Sequence, residues 1–313
     1  MRAPQTRRAL CLVTQWFPPE PAHLAEWLGR SLSAQGWAVT VLTGIPNYPS
    51  GNVHPGFRAS QFRRDVVAGL PVRRTPLFPS HDGSATKRTL NYLSWAVSAT
   101  FGGLGDLRRA DVAVVYSSPA TAAVPAMTSR AIFRRPYVLI IQDLWPDSIF
   151  ASGFLRDGFV TRLASSVLGG FTQLSYRMAS GIAVISPGMR EVLAERGVDP
   201  AKLQLVYNWV DESVFHPAEP DPNLRASLGI APDDFVLMYA GNHGAAQDLG
   251  NVMGAMSLIQ TPRKVHLVLV GDGVEKPALL EQARHLTDTV HFLPPRPAEE
   301  LAALMAASNV QLV

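Results

Sequence analysis

Short apolar runs rich in β-branched residues recur along this 313-residue chain, and longer stretches with helical spacing lie between them. That alternation is the strongest constraint on the fold. A strand, a covering helix and a second strand build a parallel sheet buried on both faces. The first such unit is plain. ALCLVT (9–14) and AVTVLT (38–43) read as strands, and LAEWLGRSLSAQG between them sets Leu24, Leu28 and Leu32 at i, i+4 and i+8 before Gly36 ends the helix. DVAVVY (111–116), YVLIIQ (137–142) and GIAVIS (181–186) continue the series. Residues 62–78, FRRDVVAGLPVRRTPLF, differ, because Gly-Leu-Pro between two β runs predicts a hairpin or an inserted strand.

Segment 216–234, HPAEPDPNLRASLGIAPDD, is rich in Pro and Asp and has the composition of a linker. A second alternation follows, with FVLMYAG (235–241), VHLVLVGDG (265–273), TVHFLP (289–294) and NVQLV (309–313) as strands. The expected architecture is α/β: a doubly wound Rossmann-like domain over 1–206, a linker over 207–234 and a second such domain over 235–313. In these sheets ligands bind beyond the carboxyl ends of the strands. The strand ends therefore nominate the site. They are Gln15; the turn Pro46-Asn47-Tyr48-Pro49; Ser117 and Ser118; Asp143 to Asp147; Ser186; the loop Gly241-Asn242-His243-Gly244; Gly271-Asp272-Gly273; and Pro295-Arg296.

The chain is 47% hydrophobic, enough to bury real cores. No apolar run reaches the roughly 20 residues of a membrane-spanning helix. Arg7 and Arg8 before ALCLV look like the start of a signal peptide, but the run is short and the following Gln15 and prolines offer no cleavage site. The one cysteine, Cys11, lies in the first strand, where a buried thiol in a reducing cytoplasm is expected. The net charge of +3 hides an asymmetry: residues 1–206 carry 22 Lys+Arg against 12 Asp+Glu, a net +10, while 207–313 carry 6 against 13, a net −7. A basic half suggests an anionic partner, and a merely solvated basic surface is the competing reading. Arg63, Arg64, Arg73, Arg74, Lys87, Arg88, Arg108 and Arg109 precede or flank NYLSWAVSATFGGLG (91–105), an apolar stretch too short to span a bilayer. Peripheral attachment to an anionic membrane is expected there, against a core helix with incidental charge. Zinc-ligand spacing and aromatic RNA-binding motifs are absent from the sequence, so nucleic acid is not an expected partner.

Several stretches together resemble a known family. WFPPEP, TGIPNYPSGNVHPGF, QDLWPDS, ISPGMREVLAERGV, YNWVDESVF and YAGNHGAAQDL with VGDG, in this order, resemble the GT-B glycosyltransferases of family 4, closest to the bacterial transferases that extend lipid-linked sugars. The resemblance implies two Rossmann-like domains facing a cleft, with the acceptor on the first and a nucleotide-sugar donor on the second. It implies transfer with retention of anomeric configuration, a donor that is UDP-linked, no metal and no cofactor, at the cytoplasmic face of the cell membrane. Asp143 stands where many members carry a His, and is the expected catalytic residue. Asn47, Tyr48, Ser117, Ser118 and Asp147 fall on the acceptor side, with helix capping as the competing role for Asp147. His23, Gly241, Asn242, His243, Gly244, Gln247, Gly271, Asp272, Gly273 and Arg296 fall on the donor side. Asn242 and Gln247 occupy places where most of the family has Arg and Lys, which leaves the diphosphate to backbone N–H groups and Arg296. The family's Glu-x7-Glu signature, due just after NVQLV, is not in the sequence. The second domain is thus expected to be incomplete, with weakened donor binding. Two other readings stand beside this one: a non-catalytic module that binds nucleotide or membrane, and a nucleotide-sugar epimerase of the same architecture. A dinucleotide oxidoreductase is disfavoured, since the first strand runs into TQWFPPEP without a G-x-G-x-x-G turn.

Overall fold

The structure is a computed structural model, and it describes residues 7–80, 85–147 and 159–313. The chain divides after Trp209 into two compact units.

The first unit is built on one eight-stranded sheet. Its strands are β1 (Ala9–Val13), β2 (Ala38–Gly44), β3 (Arg63–Val67), β4 (Leu70–Thr75), β5 (Val112–Ser117), β6 (Tyr137–Ile141), β7 (Gly181–Val184) and β8 (Leu203–Leu205), in the order β3-β4-β2-β1-β5-β6-β7-β8. All neighbours run parallel except the β3–β4 pair, which is antiparallel. The helices are α1 (His23–Ala34), α2 (Ala85–Arg109), α3 (Val124–Phe133), α4 (Phe159–Met178) and α5 (Pro187–Glu195).

Strand β1 shows why the sheet is covered on both sides. Its residues point alternately up and down. Leu10 and Leu12 pack with Ala25, Leu28 and Leu32 of α1, whereas Cys11 and Val13 pack in a separate cluster with Trp95, Ala99 and Leu107 of α2. Each cluster takes one parity of the strand, so both faces need apolar side chains. Burial drives the Cys11 thiol far above the ordinary range, leaving it inert packing. Helix α2 comes close to the sheet at Gly103, where a Cβ would stand 2.2 Å from a methyl of Leu42. The hairpin forms where expected, but its turn is Ala68-Gly69 rather than Gly-Leu-Pro. Both turn residues have positive φ (50° and 78°), the conformation that suits a two-residue hairpin.

The second unit carries β9 (Phe235–Asn242), β10 (Val265–Asp272), β11 (Val290–Leu293) and β12 (Val310–Gln311) in the order β11-β10-β9-β12, all parallel. Its helices are α6 (Leu224–Ser227), α7 (Leu249–Met256), α8 (Lys276–Gln282) and α9 (Ala298–Ala306). Leu267 and Leu269 face the α7 and α8 side, and Val268 and Val270 face α9, the same two-faced burial as in β1.

The expected linker over 207–234 is not one. Leu224 and Ile230 are buried in the second unit's core. The Asp221 N–H donates to the Ala303 carbonyl at 3.0 Å, and the Arg225 guanidinium donates to the Ala307 carbonyl at 3.1 Å. Pro and Asp shape turns here instead of loosening the chain: Asp221 accepts from the Asn223 N–H and Asp234 from the Ala231 N–H.

Trp95 is the largest fully buried side chain. Its indole N–H has no hydrogen-bond partner among the described residues. Trp95→Ala should therefore cost roughly 3–5 kcal/mol of stability in urea unfolding. Trp95→Phe should cost much less, because it loses volume but also removes a buried orphan donor. Equal losses in the two variants would show that the ring's bulk does not set the core.

Candidate functional site

At the carboxyl edge of the first sheet, one buried carboxylate organises the loops. Glu20 is 1% exposed. One of its oxygens accepts from the backbone N–H groups of Asn47 (2.8 Å) and Tyr48 (2.9 Å), and the other from that of Phe17 (3.0 Å). Burial raises its pKa, and the three N–H bonds and nearby Arg74 pull it back. Arg74, also 1% exposed, donates to Asp65 at 2.8 Å and to the carbonyls of Gly44 and Pro18. The loops after β1 and β2 and the end of β4 are thus tied to one another from below.

Above that floor, four aromatic rings run in a row. Trp16 lies 5.2 Å from Tyr48 and 6.2 Å from Tyr92, and Tyr92 lies 6.2 Å from Trp145. Asn47, expected on the acceptor side, lies beneath the row. It is 1% exposed, donates to the Ile45 carbonyl and accepts from Asn91, which in turn accepts from Gln15. Its role is to hold the floor. Cis peptide bonds occur at Pro18-Pro19, Tyr48-Pro49, Ser118-Pro119 and Trp145-Pro146, all in the loops that follow strands of this edge.

The register of β5 with β6 sets Ser117 opposite Ile141, so the residues just beyond them meet. Ser118 donates its hydroxyl proton to Asp143 Oδ2 at 3.0 Å. Asp143 is half-buried, and its charge adds to the desolvation that already pushes the Tyr116 phenol up. Ser117 itself is buried. Asp147 stands apart: it is exposed and ion-paired with Arg196. The residues of the helix it was expected to cap fall outside the described ones. Next to Asp143, Gln142 Nε2 and Trp145 Nε1 are buried polar atoms with no partner among the described residues. His23 opens α1, exposed and stacked on Trp27 at 5.7 Å, where no side chain caps the helix.

In the second unit the two glycine loops pack on each other. The register pairs Gly241 with Gly271 and Asn242 with Asp272. Gly271 has φ +140°, and a Cβ there would stand 2.0 Å from the Gly241 carbonyl oxygen. A Cβ on Gly273 would stand 2.3 Å from the His243 carbonyl oxygen. Only glycine fits at either place, and the close approach is backbone to backbone. Gln247 Oε1 accepts from the Gly244 N–H (3.2 Å) and from Asn242 Nδ2 (3.3 Å), so the two neutral side chains brace each other. Asp272 is exposed and accepts from the Gly273 N–H at 2.9 Å. Arg296 is exposed and lies 3.5 Å from Glu300. Missed in the sequence was Lys276, whose ammonium donates to the Gly271 carbonyl at 3.0 Å. Among the described residues, no group of three or more His, Cys, Asp or Glu is placed to hold a metal ion.

His243 is fully buried and neither ring nitrogen has a hydrogen-bond partner among the described residues. Burial lowers its pKa, Lys276 lowers it further, and Asp272 and the Val270 backbone oppose them. A histidine whose folded pKa is depressed contributes stability above its unfolded pKa, about 6.5, and loses it as pH falls through the lower folded value. The second unit should therefore weaken as pH falls from about 6.5 toward that lower value. His243→Leu should flatten the urea-midpoint profile in part, leaving the share of His291, which burial also depresses. An unchanged slope in the variant would show that His243 carries no buried-charge cost.

Comparison with known proteins adds identity to this geometry. A family model described as "Glycosyl transferase 4-like domain" matches residues 21–209. The chain is 28% identical over 308 residues to WcaI of Escherichia coli (strain K12), named for colanic acid biosynthesis glycosyl transfer; the match covers 95% of this chain and 74% of that protein. Among solved structures, Anabaena HepE in complex with UDP and glucose superposes with a TM-score of 0.63 at 17% identity, over 97% of this chain and 73% of that one. The UDP-N-acetylglucosamine 2-epimerase of Rickettsia bellii reaches a TM-score of 0.54 at 10% identity, over 96% and 72%, so the fold alone does not choose between transfer and epimerisation. The family match does: the chain belongs to the glycosyl transferase 4-like family and is a glycosyltransferase of GT-B fold, with two Rossmann-like units.

Proposed function

We propose that the chain transfers a sugar from a UDP-linked donor, held by the second unit, to a lipid-linked saccharide acceptor received by the first, with retention of configuration, in bacterial cell-surface polysaccharide synthesis. The observation that carries this reading is the Ser118–Asp143 pair, set beside a row of aromatic rings at the carboxyl edge of the first sheet. Aromatic faces suit the apolar faces of sugar rings, and a fixed carboxylate suits their hydroxyls. Ser118 occupies one oxygen of Asp143 and fixes its orientation. The other oxygen accepts a sugar hydroxyl, and the bond strengthens as the transferring sugar gains oxocarbenium character. The likeness to WcaI over most of both chains supports the polysaccharide assignment, and the UDP bound to HepE supports the donor.

Asp143→Asn keeps the shape and removes the charge. It should lower turnover by roughly 10²–10³ with a UDP-sugar and a lipid-linked acceptor, the scale of one lost transition-state stabiliser. Donor affinity measured by calorimetry should hold. Full turnover in the variant would reduce Asp143 to a structural partner of Ser118.

The enzyme works at the anionic inner face of the cell membrane. Leu90, Leu93, Val97 and Phe101 form an exposed apolar stripe along α2, with Phe101 78% exposed. Lys87 and Arg88 lie at one end of the helix, Arg108 and Arg109 at the other. Among the described residues no helix is long and apolar enough to cross a membrane, so the stripe inserts shallowly. Arg73 and Arg74 do not join this surface as the sequence suggested, since they are paired inward with Asp106 and Asp65. Each basic residue near the surface adds about 1 kcal/mol. Co-sedimentation with phosphatidylserine vesicles should be salt-sensitive and reduced by Phe101→Ser, and neutral vesicles should not bind. Equal binding to both kinds of vesicle, or to neither, would defeat the attachment.

A further inference from the structure

We infer that Lys276 supplies the positive charge against which the diphosphate of the donor is held, an assignment that rests on the reading of the second unit as the donor-binding one. A diphosphate is an anion, and the loops at the carboxyl edge of β9 and β10 offer little to meet it. Asn242 and Gln247 are neutral and hydrogen-bonded to each other. Asp272 is itself an anion, with 68% of its side chain exposed. Arg296 has Glu300 beside it at 3.5 Å. Lys276 is different in kind. Its ammonium donates to the Gly271 carbonyl at 3.0 Å and lies 3.8 Å from the Asp272 carboxylate. Its side chain is 21% exposed, so the stem is packed and the head sits at the loops. An ammonium has three donors. One is donated to Gly271 and the Asp272 carboxylate lies 3.8 Å away, which leaves donor capacity for an arriving anion. Its field also reaches the buried His243 ring in the adjoining loop.

The local geometry explains why the lysine is held there. The Gly273 carbonyl accepts from the Lys276 N–H at 3.2 Å, and the His243 carbonyl from the Glu275 N–H at 2.9 Å, so the start of α8 is pinned to both glycine loops. The backbone that carries the lysine is thereby fixed to the loops, and the Gly271 carbonyl holds its ammonium beside them. Asp272 then acts as a brake. It keeps the ammonium near the loop when no ligand is bound, and it repels an arriving phosphate. The two opposed effects predict opposite consequences for the two neutralising substitutions.

The experiment is calorimetric titration of the chain with UDP and, separately, with uridine, which shares the base and ribose but has no phosphate. Lys276→Ala should weaken UDP binding by about ten- to a hundred-fold, the scale of one charge-assisted hydrogen bond. Uridine binding should be unchanged, and Lys276→Arg should recover most of the UDP affinity. Asp272→Asn, which can still accept from the Gly273 N–H, should tighten UDP binding. Lys276→Gln, able to keep the bond to the Gly271 carbonyl, replaces the alanine variant if that one unfolds, and should show the same loss. Equal weakening for UDP and uridine would make Lys276 a brace for the loop and overturn the inference. So would unchanged UDP binding in Lys276→Ala, or weaker UDP binding in Asp272→Asn. If the unsubstituted chain binds UDP no better than uridine, the donor reading of the second unit falls first, and the inference with it.

Discussion

The first unit depends on a carboxylate placed where carboxylates rarely go. Glu20 has almost no contact with solvent, and it accepts three backbone N–H groups from two loops. Burying such a group is costly unless its lone pairs are filled. Here they are filled by the turns that carry Trp16, Asn47 and Tyr48. Arg74 is the matching cation, and it reaches the Pro18 and Gly44 carbonyls that the same turns leave over. The network therefore works in both directions. The turns stabilise the charges, and the charges fix where the aromatic rim stands. A ring row built on unbraced loops would lose the geometry proposed here to receive a sugar.

The second unit solves the same problem with backbone instead of charge. Gly271 and Gly273 let one loop lie against the other at distances no side chain would allow. His243 fills the space beside them without a polar partner among the described residues, so it serves as an apolar plug with a titratable ring. The result is a closely packed pair of loops, with one exposed carboxylate and one lysine beside it.

Much of the fold was legible because β1 and β10 alternate between two buried faces, a pattern that leaves long apolar runs in the sequence. Three features were not legible, each for a physical reason. Strand β8 is only Leu203–Leu205, too short to show a period. The Pro/Asp-rich segment looked like a tether, but composition does not reveal that Leu224 and Ile230 would find a core. The packing of the GDG loop is the third: Gly271 and Gly273 make room for Gly241 and His243, a backbone contact that sequence spacing does not show. At the site, the strand-end rule nominated Asp143 and Ser118 from topology alone, and the two side chains are hydrogen-bonded to each other. It also nominated Asn47, whose side chain turns under the rim. It did not nominate Glu20 or Arg74, whose contacts appear only when distant segments meet, nor Lys276, whose contacts to Gly271 and Asp272 depend on how the loop folds.

The basic surplus of the first half changes meaning once these partners are known. Arg74 is spent on Asp65 and the Glu20 floor, Arg73 on Asp106, and Arg63 on Asp65. These arginines hold the β3–β4 hairpin against the sheet and contribute little to any external field. The basic residues at the two ends of α2 flank the stripe formed by Leu90, Leu93, Val97 and Phe101, and Arg109 among them is 80% exposed even beside Asp106. Charge counted along the sequence mixes the two sets. Charge placed on the structure separates an internal brace from a surface that an anionic bilayer would attract, and the same helix buries Trp95 on its other side. A single amphipathic element thus joins the core of the first unit to the membrane-facing role proposed for it, so a change that tilts α2 to suit one of these tasks disturbs the other.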